Sequence, residues 1–240
     1  MIVRPRFESF LNRDGATLEA HVFEPPEPSG STVAFFHPGG FTMGDPSWGH
    51  RFAPAHLELG HTFVSLGYRL AGRGVMMDDL LADAADGIEW AAANLVGGGS
   101  RLFTSGHSAG GYLALVPVLR DVEAAVCGIA VLSVVPRMSQ STVGSLLSPD
   151  ADLALYDPGV QVGSRPVPAI FLHGSADEIV PLRGSEDLDD AWAASRCPSR
   201  LVVIDGADHF FNNPTHGRRA EGELAAAIDW LEQFGERQET

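Results

Sequence analysis

The segment Gly106-His107-Ser108-Ala109-Gly110-Gly111 has the residue types and spacing that covalent catalysis needs. It fits the pattern G-x-S-x-G, with Ser108 between a strand-like run and a helix-like run. Small residues on both sides of the serine leave room for a strained turn that lifts its hydroxyl above the sheet. The turn also aims the backbone N–H of Ala109 and the positive end of the next helix at the same point. The segment therefore predicts a nucleophile elbow.

Strands and helices are predicted to alternate along the chain around this turn. Short apolar runs predict buried strands, and apolar residues recur with helical period from Met77 to Leu95. Asn12 to Gly15 predicts the turn of an N-terminal hairpin. The predicted strands are 6–12, 16–23, 32–36, 61–66, 100–104, 125–134, 167–172 and 200–204, and the predicted helices are 46–59, 77–95, 111–116, 184–195 and one from near residue 216.

This order predicts an α/β fold with a doubly wound, mainly parallel sheet of about eight strands and an antiparallel N-terminal hairpin. We expect one domain over residues 1–240. Residues 136–166 have no strong periodicity and predict a loop-rich excursion with one short helix near residues 150–155. That segment must also return the chain to the sheet, so we expect little or no cap over the site.

Four candidate segments lie at the carboxyl ends of predicted strands: His37 to Gly40, Ser108, Asp177 and His209. In open α/β sheets, functional groups collect at the carboxyl ends of the strands. We therefore expect these segments to meet at one edge of the sheet, with the chemical groups in the chain order Ser, Asp, His.

At this point the sequence resembles the α/β-hydrolase superfamily. Within it, the sequence is similar to the hormone-sensitive-lipase-type esterases and the related kynurenine formamidase-like hydrolases. The resemblance covers nearly the whole chain and implies the α/β-hydrolase fold. The motifs that carry it are His37-Pro38-Gly39-Gly40, Tyr68-Arg69-Leu70, Gly106-His107-Ser108-Ala109-Gly110-Gly111, His173-Gly174-Ser175-Ala176-Asp177 and Asp208-His209.

The resemblance implies a catalytic triad of Ser108, Asp177 and His209. A serine hydroxyl is a poor nucleophile until a base takes its proton, which is the role expected of His209. Asp177 would hold the imidazole in the required tautomer and stabilise the imidazolium. Asp177 is expected rather than Asp205 or Asp208 because it lies just past a buried strand, whereas Asp208 is adjacent to His209 and neighbouring side chains usually diverge.

The expected oxyanion hole consists of the backbone N–H groups of Gly39, Gly40 and Ala109. Pro38 stands at the first glycine of the family's HGGG motif and removes one N–H group. The family uses the second and third glycines as donors, so the hole should survive. His37 is expected to order this loop by hydrogen bonding.

Four further residues are predicted to bind substrate: Phe41, Trp48, His107 and Phe210. Core packing is the alternative for the three aromatic residues. His107 stands where many such esterases carry an acidic residue, while the formamidases and some feruloyl or acetyl esterases carry histidine, so the subfamily stays open. Other histidines are expected at the surface or in loops, namely His21, His50, His56, His61 and His216.

The composition disfavours binding to nucleic acids or membranes. The 16 Lys and Arg residues against 31 Asp and Glu residues give a formal charge of −15, which disfavours nucleic acid and anionic membranes as partners. The residues after Met1 contain no apolar run typical of a secretory signal, so we expect a cytoplasmic protein. Two isolated cysteines, Cys127 and Cys197, fit a reducing compartment at least as well as the alternative, a disulfide between them. No zinc-ligand spacing is present, so we expect no cofactor and no metal.

The sequence thus predicts a serine esterase that cleaves a carboxylic ester of a small acyl group through an acyl-enzyme. An arylformamidase, another amidase or an acyltransferase with the same triad is the chemical alternative. A non-catalytic ligand-binding scaffold is the alternative from another class, although such proteins usually lose a triad member.

Overall fold

Eight strands form one sheet in the computed structural model, which describes residues 4–136 and 144–235. Their order across the described sheet is β1-β2-β4-β3-β5-β6-β7-β8. In chain order they are β1 (Arg6–Leu11), β2 (Thr17–Phe23), β3 (Ser31–Phe36), β4 (Thr62–Leu66), β5 (Arg101–His107), β6 (Val126–Leu132), β7 (Ala169–Gly174) and β8 (Ser199–Ile204).

Helices cover both faces of this sheet. They are α1 (Ala53–Glu58), α2 (Met77–Leu95), α3 (Ala109–Arg120), α4 (Pro158–Gln161), α5 (Arg183–Ala194) and α6 (Pro214–Gly235). One apolar core includes buried residues of α2, α3 and α5, and the other includes buried residues of α1 and α6. The pattern of the strands explains this arrangement, because β3 is buried along its whole length and needs cover on both faces.

The strands from β3 to β8 are parallel to their neighbours, whereas β1 pairs with β2, and β2 with β4, in antiparallel fashion. The predicted doubly wound sheet with an antiparallel N-terminal hairpin is therefore confirmed. Buried Asp83 of α2 fixes the hairpin, since it accepts hydrogen bonds from Asn12 Nδ2 and from the Arg69 guanidinium. A carboxylate buried at 0 % exposure requires such donors.

The single helix predicted over residues 46–59 is wrong in its first half. A 3₁₀ turn over Pro46–Gly49 precedes α1, which begins at Ala53 and has Pro54 in its first turn. Proline has no N–H to donate to the preceding turn, so it is accommodated at the beginning of a helix and not within one.

The described part of the predicted excursion contains two 3₁₀ turns, Gly144–Leu146 and Leu153–Tyr156, and the single turn of α4. Residues 137–143 of the excursion lie outside the described residues. Tyr112 of α3 donates a hydrogen bond to the Tyr156 carbonyl, and the Tyr156 hydroxyl donates to Asp78 of α2. These bonds fix the described segment against α2 and α3. Within the described ranges, no helix is both long and apolar enough to cross a bilayer.

Two histidines predicted at the surface or in loops, His21 and His56, are instead buried within β2 and α1, whereas His61 lies in a loop as predicted but is also buried. His56 Nδ1 lies 3.2 Å from His61 Nδ1, and His61 Nε2 lies 3.2 Å from Asp229 of α6. This chain of contacts links α1, the beginning of β4 and α6. Burial, with a smaller contribution from His61, lowers the pKa of His56 to about 3.

Acidification should therefore reduce the stability that His56 contributes. The unfolded chain binds a proton at this side chain near pH 6.5, whereas the folded chain resists it down to about pH 3, so stability rises with pH between these values. We expect the stability advantage of the wild type over His56→Gln to shrink by about 1.4 kcal/mol per pH unit below 6.5. Urea unfolding of both proteins from pH 7.5 to 5 measures this. A constant difference over that range would contradict the prediction.

Candidate active site

Ser108 lies between the last residue of β5 and the first residue of α3. Its φ of 55° and ψ of −119° place a non-glycine residue in a rarely populated backbone conformation. The Ser108 N–H donates to the Leu132 carbonyl of β6 at 2.9 Å, which fixes the turn to the neighbouring strand. The geometry agrees with the predicted nucleophile elbow.

The glycines that flank the elbow lie against backbone atoms. A Cβ at Gly106 would overlap the carbonyl of Gly110, and a Cβ at Gly110 would overlap the carbonyl of Phe36. Because these obstacles are backbone atoms and not flexible side chains, a larger residue at either position would displace β3, β5 or α3. The small residues of G-x-S-x-G are thus required by close approach of the backbone.

The structure brings together the three residues that were predicted as a triad. His209 Nε2 lies 3.0 Å from Ser108 Oγ, and His209 Nδ1 lies 2.7 Å from Asp177 Oδ2. Since a carboxylate accepts, Nδ1 carries the proton in this contact and Nε2 is left to accept from the serine hydroxyl. All three side chains are buried. This arrangement can move a proton from Ser108 to His209 while Asp177 holds the ring.

The surroundings of Asp177 favour its ionised form. Its Oδ1 accepts from the backbone N–H groups of Ile179 and Val180 at 2.9 and 2.8 Å. His173 Nε2, which donates to the Val180 carbonyl, also lies 3.3 Å from Asp177 Oδ2. Burial alone would raise the pKa of Asp177, but the hydrogen bonds from His173, His209 and the Val180 N–H together hold it well below its usual range.

The two other aspartates near His209 have different partners. Asp205 accepts from the Ser175 hydroxyl at 3.0 Å, and the same hydroxyl accepts from the Gly206 N–H at 2.8 Å. Asp208 accepts from the Asn212 N–H at 3.0 Å. The Ser175 contacts also join the loop after β7 to the loop after β8, which helps to keep Asp177 and His209 next to each other.

Gly39 and Gly40 occupy the loop after β3, with φ values of 139° and 59°. A Cβ at Gly39 would overlap the Met43 carbonyl, so this tight turn requires glycine. Among the described residues, none accepts a backbone hydrogen bond from the N–H of Gly39, Gly40 or Ala109. An oxyanion hole at these positions needs N–H groups that are not already bonded within the protein.

His37 orders this loop, as its position suggested. Its Nδ1–H donates to the Pro38 carbonyl at 2.8 Å, and its ring stacks on Tyr68 with centroids 4.3 Å apart. The Tyr68 hydroxyl donates to the His37 carbonyl at 3.0 Å. Burial lowers the pKa of His37 to about 4, so the ring is neutral at physiological pH. Sequence reasoning missed the support from Tyr68, although the Tyr68-Arg69-Leu70 motif marked that residue.

The four residues predicted to bind substrate separate into two groups. Trp48 and Phe210 are each 43 % exposed, beside His37 and His209 respectively. Phe41 and His107 are only 2 % and 3 % exposed, and for Phe41 this burial favours the alternative of core packing. Phe41 has a φ of 68°, which turns its ring into the core against Tyr112. The His107 ring lies beneath the His209 loop, where its Nε2 contacts the His209 carbonyl at 2.8 Å.

No group of three or more His, Cys, Asp or Glu side chains among the described residues could hold a metal ion.

A family model described as alpha/beta hydrolase fold matches residues 33–214, a range that contains Ser108, Asp177 and His209. The chain belongs to the alpha/beta hydrolase fold family. This confirms the family that the motifs indicated.

Individual relatives of this alpha/beta hydrolase share little sequence identity with it or match only part of it. Over 227 residues it is 22 % identical to the isoprenylcysteine alpha-carbonyl methylesterase ICME of Arabidopsis thaliana, covering 79 % of this chain and 53 % of that protein. It is 33 % identical over 99 residues to the non-reducing polyketide synthase Preu3 of Preussia isomera, covering 39 % of this chain and 4 % of the synthase. The chain thus spans about half of the methylesterase and a small part of the synthase.

Solved structures show the same fold. The apo form of Thermogutta terrifontis esterase 2 superposes with a TM-score of 0.81 at 23 % identity, covering 96 % of this chain and 95 % of that one.

Proposed function

We propose that this alpha/beta hydrolase is a serine esterase that cleaves carboxylic esters of small acyl groups through an acyl-enzyme. The observation that carries the proposal is the continuous hydrogen-bond chain from Ser108 Oγ through the His209 imidazole to Asp177. The esterase and methylesterase names of the similar proteins support the same class of reaction.

In the first half of the reaction, Ser108 Oγ attacks the ester carbonyl carbon and His209 Nε2 takes the hydroxyl proton. The negative charge that develops on the carbonyl oxygen would be stabilised by the N–H groups of Gly39, Gly40 and Ala109. Ionised Asp177 stabilises the imidazolium. The tetrahedral intermediate then loses its alkoxide, which receives the proton from His209, leaving an alcohol and acyl-Ser108.

In the second half, water attacks the acyl-enzyme and gives a proton to His209 Nε2. The same backbone N–H groups stabilise the second oxyanion. Collapse of the intermediate releases the carboxylic acid, and His209 returns the proton to Ser108 Oγ.

Trp48 and Phe210 are the proposed contacts for the substrate. Both rings are partly exposed; Trp48 lies beside His37, which precedes Gly39 in the loop after β3, and Phe210 lies beside His209. Aromatic faces in these positions favour an apolar or aryl group on the substrate.

Labelling with a fluorophosphonate probe tests the proposed function directly. We expect one covalent adduct, mapped by mass spectrometry to Ser108, and competition by an aryl acetate. Failure of the folded protein to react would overturn the proposal of an activated serine. Turnover of aryl esters against N-formylkynurenine then separates an esterase from an arylformamidase, and transfer to added alcohol or amine detects an acyltransferase.

We expect a preference for acyl groups from acetyl to butyryl. The described part of the excursion is held against α2 and α3 through Tyr156, and Gly40, in the loop proposed to form the oxyanion hole, is exposed. A long chain would find little surface to cover it, whereas each buried CH₂ is worth only ~0.8 kcal/mol. Thermogutta terrifontis esterase 2 has itself been solved with butyrate and with propionate bound.

A series of p-nitrophenyl esters measures this preference, because the leaving group stays constant while the acyl chain grows. We expect kcat/KM to reach its maximum by the butyrate ester and to fall for longer chains. A steady rise to the dodecanoate would show a long apolar acyl pocket and contradict the prediction.

A further inference from the structure

His107 is a buried histidine that the proposed reaction does not use. It is the last residue of β5 and the immediate neighbour of Ser108 in the chain. Its Nε2 lies 2.8 Å from the backbone carbonyl oxygen of His209. The strand that presents the candidate nucleophile therefore also contacts the backbone of the candidate base, across a sequence separation of 102 residues.

The partner in this contact determines the tautomer of His107. A carbonyl oxygen can only accept, so the proton must lie on Nε2. Burial, reinforced by the neighbouring His209, lowers the pKa of His107 to about 3. The ring is therefore a neutral Nε2–H donor throughout the pH range in which an esterase would work.

Other hydrogen bonds also hold the His209 loop at this point. Arg51 Nη1 donates to the Phe210 carbonyl at 3.1 Å, one residue further along the chain. On the other side, the Ala207 carbonyl accepts from the Ala176 N–H at 3.0 Å. Between these two bonds, the Asp208 carboxylate accepts from the Phe210 N–H and the Asp208 carbonyl accepts from the Phe211 N–H, while His107 contacts the carbonyl of His209 itself.

We propose that His107 is a positioning residue, which sets the height and orientation of the His209 imidazole by donating from Nε2 to the His209 backbone carbonyl. This inference rests on the proposed function, since it assigns His209 the role of base. His209 must hold its two ring nitrogens at hydrogen-bond distance from Ser108 and Asp177 at once, so a small shift of its backbone would lengthen one of these contacts. A misplacement of ~1 Å can cost on the order of 10²-fold in rate.

Packing is the alternative explanation for the presence of His107. Its ring lies 5.9 Å from the Phe211 ring and 6.5 Å from the Phe52 ring, measured between centroids, and it borders the apolar core on that face. A residue that only fills space could be replaced by leucine without loss of activity. A positioning donor could not.

A matched pair of amides distinguishes these roles. In glutamine, the amide nitrogen is as many bonds from Cβ as Nε2 is in histidine, so His107→Gln can still donate to the His209 carbonyl. In asparagine the amide nitrogen is one bond closer to Cβ, so it cannot reach the His209 carbonyl. His107→Leu keeps apolar volume and removes the donor.

We expect His107→Asn and His107→Leu to lose 10- to 100-fold in kcat for p-nitrophenyl acetate, with KM changed less than threefold. His107→Gln should keep kcat within about threefold of the wild type. His56→Gln is the control, because it alters an equally buried histidine far along the sequence from the triad and should leave kcat unchanged. Thermal unfolding shows which variants are folded.

Equal kcat in the folded Gln and Asn variants, whether both normal or both impaired, would overturn the proposal. A wild-type protein that neither hydrolyses esters nor reacts with fluorophosphonate would instead overturn the proposed function. A second measurement needs no activity: ¹⁵N-histidine NMR, assigned by the signal lost in His107→Gln, should show a neutral ring with its proton on Nε2 from pH 5 to 8. A proton on Nδ1 would refute the inference.

Discussion

Replacing Ser108 with alanine is expected to abolish ester hydrolysis by this alpha/beta hydrolase while leaving its fold intact. The loss of kcat should be on the order of 10³-fold or more, because only oxyanion stabilisation and substrate binding would remain. Alanine removes one oxygen from a buried position that the backbone bond to Leu132 still fixes. The measurement is kcat with p-nitrophenyl acetate, alongside thermal unfolding and fluorophosphonate labelling of wild type and variant.

Retained turnover in folded Ser108→Ala would place the nucleophile elsewhere. Other serines lie near this edge of the sheet: Ser133 follows β6 and Ser175 follows β7. Ser133→Ala is the matched control, since it removes a buried hydroxyl close to the elbow in a residue that also has a positive φ, of 42°. We expect that variant to remain active.

Replacing Asp177 with asparagine should lower kcat by roughly 10⁴-fold. The amide has nearly the shape of the carboxylate, but one of the two accepting oxygens is replaced by an NH₂ group, which donates and cannot accept. His209 Nδ1 would then lose the partner that keeps its proton there, and the ring could turn a proton toward Ser108 in place of a lone pair. The measurement is single-turnover acylation by p-nitrophenyl acetate, which isolates the step that needs the base.

Asp205→Asn and Asp208→Asn are the controls for this prediction. Both aspartates lie within a few residues of His209, but their carboxylates accept from Ser175 and from Asn212. We expect each variant to acylate within about tenfold of the wild type, since neither removes the Nδ1 partner. An Asp205 variant as inactive as Asp177→Asn would show that the acid had been misassigned.

Much of the fold could be predicted because the strands near the middle of the sheet carry a strong signal. β3 is apolar along nearly its whole length, and β5 and β7, which precede Ser108 and Asp177, are also almost wholly buried, whereas β8 before His209 is mostly exposed or half-buried. The order of the segments that follow these strands was sufficient to bring Ser108, Asp177 and His209 to one edge. α2 was predicted with its bounds, Met77 to Leu95, since its apolar stripe is long and regular.

The sequence did not predict the burial of side chains whose packing partners are distant in sequence. His56 and His61 are buried because α1, β4 and α6 meet around them. The residues next to them in the sequence do not indicate that contact. Phe41 turned into the core through a left-handed backbone conformation that its residue type disfavours.

The supports of the candidate triad were missed for a different reason. The contacts from His107 to the His209 carbonyl and from Tyr68 to the His37 carbonyl end on backbone atoms. A bond from a side chain to a carbonyl leaves no mark on the type of the residue that accepts it, so sequence reasoning identified the reacting groups more readily than the groups that hold them.

The backbone of Ser108 has a consequence for attempts to engineer this protein. Holding a side chain at a φ of 55° costs of the order of 1–3 kcal/mol, which the rest of the molecule must supply. Glycine would relieve that cost, because it has no Cβ to clash in this region. Selection of random libraries for heat resistance alone would thus favour loss of the serine, so directed evolution of this protein has to screen hydrolysis and melting temperature together.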